Sequence, residues 1–158
     1  MLTEMKMMKQ YLVYLAGSIS GRSYFEATQW RNRVRRILEE DQAINVKCLD
    51  PMRGKAYLSQ EAAIKESYPN TMTSGAKAVF LRDRFDVMRS DIILINITCE
   101  EDLKSIGTVS EQAWGKMGQK MVIIISNGIS IKHPFWTEDA IIVDTEGDGT
   151  AFIQWLLS

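Results

Sequence analysis

Five short apolar runs, separated by stretches of helical period, constrain this chain most. They are Tyr11–Ala16 (YLVYLA), residues 45–49 (NVKCL), 92–97 (IILINI), 121–126 (MVIIIS) and 140–143 (AIIV). Runs this short, rich in β-branched residues and closed by Gly, Asp-Pro or Ser-Asn, predict buried strands. After the first run, Ser23-x-x-Glu26 has capping-box spacing, and Ala27, Trp30, Val34, Ile37 and Leu38 follow at steps of three and four, predicting an amphipathic helix. Ala78, Leu81, Phe85 and Met88 repeat that step, a helix is predicted from Ile106-Gly107-Thr108 through Gln119, and Thr150 is placed to cap a last one carrying Phe152, Ile153, Leu156 and Leu157. Strands that are apolar throughout are covered on both faces, which requires a mostly parallel sheet with right-handed crossovers. The expected fold is α/β: a flavodoxin-like or Rossmann-like three-layer sandwich on a mostly parallel five-stranded sheet, order 2-1-3-4-5.

A chain of 158 residues, 46% apolar and 25% charged, suits one domain over residues 1–158. Its net charge of −1 gives no global pull toward nucleic acid or an anionic membrane, so a phosphate ligand would need a local site. Arg31, Arg33, Arg35 and Arg36 read as a solvated helix face. Cys48 and Cys99 read as buried free thiols in a reducing compartment. No His/Cys spacing suggests zinc, no cofactor is expected, and the lone His133, in a loop, is given no role. The first ten residues are interrupted by Lys6 and Lys9 and do not read as a signal peptide, and no run is long enough to span a bilayer; a cytoplasmic protein is expected. Residues 52–75 lack a clean period and read as a functional lid or binding loop, with a short helix near 59–65.

In such sheets ligands bind beyond the carboxyl ends of the strands, where the strand order reverses. Strands 1 and 3 flank that point, so residues 17–23 and 98–111 should carry the chemistry. The first segment reads Gly17-Ser18-Ile19-Ser20-Gly21-Arg22-Ser23: free amides, hydroxyls and a helix start suit an anion, although it equally suits a tight turn with a capped helix. The second reads Ser105-Ile106-Gly107-Thr108-Val109-Ser110-Glu111. It puts a carboxylate within a helix's first turn, where the dipole favours the ionised form that attack on an anomeric carbon needs; merely complementing the dipole is the plainer role. Asp83, with Asp86 and Asp91 nearby, is a third candidate. Asp91, directly before a strand, should cap or position.

Together, Tyr14-Leu15-Ala16-Gly17-Ser18, Asp83 eight residues before Asp91, and Ser105-x-Gly107-Thr108-x-x-Glu111 resemble the nucleoside 2-deoxyribosyltransferase-like superfamily, which includes deoxyribosyltransferases and nucleoside 5'-monophosphate N-glycosidases. The resemblance spans residues 11–125. It implies Glu111 as the nucleophile forming a glycosyl-enzyme, Tyr14 beside sugar and nucleophile, Asp83 bonding sugar or base and assisting proton transfer, and Gly17 and Ser18 lining the sugar-phosphate end. Two departures bear on the base pocket: Glu111-Gln112-Ala113-Trp114-Gly115 replaces the family's Glu-x-Gly-x-Ala, and the acidic loop at 99–104 is longer. Within the family, transferases on free nucleosides carry an aspartate six residues before the nucleophile, and the monophosphate hydrolases a serine. Ser105 stands there, and a serine can donate to a phosphate that an aspartate would repel. Ser20, Arg22 and Gly107 would add donors, and Met52, Arg53 and Tyr57 are placed to meet the base.

The expected activity is therefore cleavage of the N-glycosidic bond of a nucleoside 5'-monophosphate, with base exchange on free deoxynucleosides as the alternative. A non-catalytic nucleotide-binding module would use the same sheet and loop. A flavodoxin would show a similar loop. A phosphotransfer domain would need a lysine where Ser126-Asn127-Gly128 stands. Family members often form homo-oligomers, and Trp114, Phe135 and Trp136 look exposed enough to serve.

Overall fold

The computed structural model describes residues 8–68 and 72–158. Most of the N-terminal segment read above, residues 1–7, and Pro69 in the long loop lie outside the described residues. The order is β1 (Tyr11–Ala16), α1 (Tyr24–Glu39), β2 (Val46–Leu49), α2 (Ala76–Arg89), β3 (Ile92–Asn96), α3 (Ile106–Met117), β4 (Met121–Ile125), α4 (Pro134–Thr137), β5 (Ile141–Val143) and α5 (Glu146–Leu157), with 3-10 turns at Ala56–Leu58 and Glu100–Lys104. The sheet order is β2-β1-β3-β4-β5 and every pairing is parallel. This is the three-layer α/β architecture expected, with strand ends drawn in by a residue or two.

Strand alternation divides the core in two. Val13, Leu15, Ile92, Leu94, Ile123 and Ile125 pack under Trp30, Val34 and Leu38 of α1 and Ile153 of α5. Tyr14, Ala16, Ile93, Ile95, Val122 and Ile124 face the opposite way, against Val87 of α2, Trp114 of α3 and Trp136 of α4. Tyr14 therefore projects from β1 toward α3, the helix that carries Glu111. α3 lies close to the sheet because Gly115 has no side chain: a Cβ there would stand 2.8 Å from Ile93 Cγ1. Gly115 is one turn beyond Glu111 on the same face, so this contact also sets the depth of Glu111. Gly115→Ala should cost about 1–3 kcal/mol by overpacking, read as a lowered midpoint in urea with an unchanged slope.

Several expectations are corrected. Arg31 is not on a solvated face; it is fully buried, while Arg33 and Arg36 are exposed. Ile37 is exposed rather than on the apolar side of α1. The stripe Leu81, Phe85 and Met88 forms the expected helix but faces solvent, and α2 buries Asp86 and Val87 instead. The 59–65 stretch is not helical. Its backbone clamps the loop after β1, through Ile64 N to Arg22 O at 2.7 Å, Gly21 N to Ile64 O at 2.8 Å and Tyr24 N to Glu61 O at 3.2 Å. Those pairings take up backbone groups that a helix would have used internally. Thr145, not Thr150, caps the last helix, and Thr150 lies buried inside it. β5 is half-exposed, as an edge strand is. Cys48 is buried, its thiol pushed up to about 12 by burial, but Cys99 lies beyond β3 and is only half-buried. Trp136 is a core residue rather than an exposed one, Trp114 is half-buried with its ring edge-on to Phe80 at 5.3 Å, and Phe135 is exposed. No described helix is long and apolar enough to cross a membrane.

Candidate active site

The carboxyl ends of β1 and β3 open into a cleft of about 700 Å3. Residues 17–22 line one side, the 3-10 turn and the start of α3 (Cys99, Asp102, Ser105, Gly107, Thr108) line another, and Lys55, Tyr57, Tyr68 and Asp83 close it from the β2 and α2 side. Glu111 stands on its floor, 7% exposed. The Tyr14 hydroxyl, fully buried, donates to Glu111 Oε1 at 2.6 Å.

The expectation that Glu111 sits in the first helical turn is corrected. Ser105 is the N-cap and Ile106 begins the helix, so Glu111 is in the second turn, where the dipole has faded. Burial dominates instead. It pushes the Glu111 carboxyl up to about 8, against the lowering effects of the Tyr14 hydrogen bond, Arg31 and Lys55, with Asp83 adding a further rise. Burial therefore favours the protonated acid over the carboxylate in the resting site. Burial and the nearby Glu111 and Asp83 charges also hold the Tyr14 phenol well above its ordinary value. Asp83 lies mid-helix rather than near a helix start. Burial raises its carboxyl to about 6, against the pull of Lys55 and Arg82. Its Oδ1 is shut off from solvent and accepts no hydrogen bond among the described residues.

The loop after β1 is built from below. Arg31 donates to Leu15 O at 3.2 Å, to Gly17 O at 2.9 Å and to Ala27 O, and its Nε lies 3.7 Å from Asp50 at the end of β2. Thus a buried cation stitches the carboxyl ends of β1 and β2 to α1. Gly17 is needed here, because a Cβ would meet Trp30 at 3.1 Å and Asn96 O at 3.2 Å. Gly21 takes a positive φ of 80° to turn the loop. Arg22 donates to Asp102 Oδ1 at 2.7 Å and to Cys99 Sγ at 2.9 Å. Burial alone would raise the Asp102 carboxyl, but the Thr98 amide, the Ser18 and Thr98 hydroxyls and Arg22 outweigh it and hold it at about 2. Ser18, Ser20, Arg22, Ser105 and Gly107 all line the cleft. Ser105 accepts from the Thr108 hydroxyl at 3.1 Å and from its amide at 3.5 Å, which leaves its own O–H free to donate.

Some sequence candidates lie elsewhere. Arg53 is not among the cleft residues; its guanidinium is 2.5 Å from Asp86, which also holds Arg89 at 2.8 Å. Met52 is core. Asp91 positions β1, accepting from Leu12 N at 2.8 Å. Conversely, Lys55 and Arg31 carried no signal of period or motif, and Asp102 was visible only as one acid in an acidic loop. Among the described residues no group of three or more His, Cys, Asp or Glu is set to hold a metal ion.

No family model and no curated protein matches this sequence. Solved structures do. A conserved protein from Enterococcus faecalis V583 is 15% identical, aligns over 94% of this chain and 100% of its own, and has a TM-score of 0.63. A 2-deoxyribosyltransferase from the psychrotolerant bacterium Bacillus psychrosaccharolyticus, described as a biocatalyst for nucleoside synthesis, is 17% identical over 88% of this chain and 90% of its own, with a TM-score of 0.62. The chain has the deoxyribosyltransferase-like fold.

Proposed function

We propose that the cleft breaks the N-glycosidic bond of a (deoxy)nucleoside 5'-monophosphate, with Glu111 as nucleophile, releasing free base and sugar phosphate. The observation that carries this reading is the 2.6 Å bond from Tyr14 to Glu111 on the floor of a cleft rimmed by hydroxyls and helix-start amides. Tyr14 holds one carboxylate oxygen and leaves the other to C1'. As the C1'–N bond breaks, its electron pair passes to the base nitrogen, a proton from Asp83 follows, and Glu111 forms an ester with C1'. Water then attacks C1', returning a proton to Asp83 and freeing Glu111. The 5'-phosphate lies against Ser18, Ser20, Ser105, the Gly107 amide and the donors of Arg22 not held by Asp102. The shared fold with a 2-deoxyribosyltransferase is consistent with this reading.

A second reading, base exchange on free deoxynucleosides, draws on Asp102. Its carboxylate already engages Arg22 and Ser18, which leaves the loop near neutrality and suited to a 5'-hydroxyl. A chromatographic screen of nucleosides and their monophosphates, with and without a free acceptor base, separates the two. Free base from monophosphates alone supports hydrolysis, and a new nucleoside formed only with acceptor supports exchange. Intact substrates throughout would leave a non-catalytic binding module.

The two cleft carboxyls set the pH dependence. Productive attack needs Glu111 ionised and a proton available for the base, so Asp83 and Glu111 must hold one proton between them. Below about 6 the pair carries two protons and above about 8 none, so kcat/KM should be bell-shaped with limbs near those values. A rate that climbs steadily to pH 10 would refute the one-proton pair.

In this reading a second copy of the chain covers the apolar row of Phe80, Leu81, Phe85 and Met88 on α2. That helix also carries Asp83, so the contact would brace the cleft wall. Sedimentation should show a dimer or larger, and Phe85→Glu should shift it to monomer.

A further inference from the structure

The base side of the cleft holds two polar groups that the fold itself leaves unmet. Lys55, on the turn after β2, is only 9% exposed and lines the cleft. Among the described residues no carboxylate forms an ion pair with it. Asp83 Oδ1, on the α2 wall, is buried without a hydrogen-bond partner. A buried ammonium and a buried carboxyl oxygen cost free energy unless something meets them. They are electrostatic neighbours, since Lys55 is the strongest charge acting on Asp83. Burial also lowers the Lys55 ammonium below its ordinary value, as expected where water is excluded.

We infer that Lys55 and Asp83 together read the base, and that among purines the site prefers a 6-oxopurine. This rests on the glycosidic-cleavage reading above and adds the substrate class to it. In the cleavage reading Asp83 is the proton donor, so these two cleft residues offer the base two donors. Among purines the matching edge is N7 beside O6 of guanine or hypoxanthine, both acceptors; adenine offers N7 beside an N6 amine, itself a donor. Lys55 on O6 meets the oxygen that gains negative charge as the C1'–N electron pair enters the ring, while the Asp83 proton goes to N7. The bond broken is C1'–N9, the bonds formed are Glu111 O–C1' and N7–H, and Lys55 keeps its protons throughout. Adenine would set its amine against the ammonium, so discrimination comes from repulsion as well as attraction.

The test compares inosine, guanosine and adenosine 5'-monophosphates and their deoxy forms on the parent protein, Lys55→Met, Lys55→Arg and Glu111→Ala. The parent should favour oxopurines over adenine by about 100-fold in kcat/KM. Lys55→Met should lower oxopurine turnover by about that factor more than it lowers turnover of the adenine compounds, so that the preference collapses. Lys55→Arg, which keeps the cation, should retain the preference. A structural role for Lys55 would depress all substrates alike, and that result overturns the inference, as does a parent that prefers adenine. If cleavage depends on Glu111 yet the base preference ignores Lys55, this inference alone fails. If parent and Glu111→Ala are equally inactive on every compound, the cleavage reading fails and takes this one with it.

Discussion

Glu111→Gln should abolish turnover, by roughly four orders of magnitude or more, and at the same time make the protein harder to melt. The second effect follows from burial. The folded-state carboxyl sits at about 8 against an ordinary 4.5, so folding favours its protonated form. That contribution is complete below about 4.5 and is lost as pH rises through about 8; above that the fold carries a buried carboxylate at a cost on the order of 4 kcal/mol. Glutamine keeps the volume and accepts the Tyr14 bond but does not titrate. The variant should therefore melt with the parent near pH 4 and on the order of 10 °C above it at pH 9. Thermal melts at both values, beside the turnover assay, check it. A constant difference between the two proteins across pH would mean that Glu111 titrates normally and lies outside the proposed environment. Stability set aside for reactivity is what a functional carboxyl in a dry floor implies.

Arg31→Met should cost about 3–5 kcal/mol of stability, the range for breaking one side of a buried ion pair. The side chain is wholly buried and serves three carbonyls and Asp50, none of which methionine can satisfy. Arg31→Lys should recover little, because one ammonium cannot span those acceptors in the fork geometry of a guanidinium. The site should report the change as well. Arg31 lowers the Glu111 carboxyl, so in whatever fraction folds, the alkaline limb of the rate profile should move upward. Urea unfolding and the pH profile measure the two parts. A variant as stable as the parent would show that Asp50 and the three carbonyls find other partners.

How far the site could be read in advance differs residue by residue. Local rules located the two segments that hold Gly17, Ser18, Ser20, Arg22, Ser105 and Gly107, the family resemblance singled out Gly17, Ser18 and Ser105 within them, and all six line the cleft. Arg53 was placed by proximity to the end of β2, but it reaches Asp86, a partner thirty-three residues away that no local pattern announces. Lys55, two residues on, faces the cleft instead. The helical step of Leu81, Phe85 and Met88 was correct as period and silent on direction. Spacing shows that side chains share a face but not which way it points; here the arc carrying Asp86 and Val87 packs inward and the apolar stripe is left outside.

By itself the sequence determined the five strands, their order, the parallel sheet and the two segments that meet at its reversal point, because each follows from hydrophobic period, turn residues and chain connectivity. Only the tertiary structure decided that burial biases Glu111 toward its acid form, that Arg31 is a buried clamp rather than a solvated cation, and that Lys55 faces the cleft. The physical reason is that the charge state and cost of an ionisable group depend on how completely water is excluded around it. Its neighbours also come from distant segments: around a carboxyl on α3, Tyr14 of β1 acts by a hydrogen bond and Asp83 of α2 by its charge.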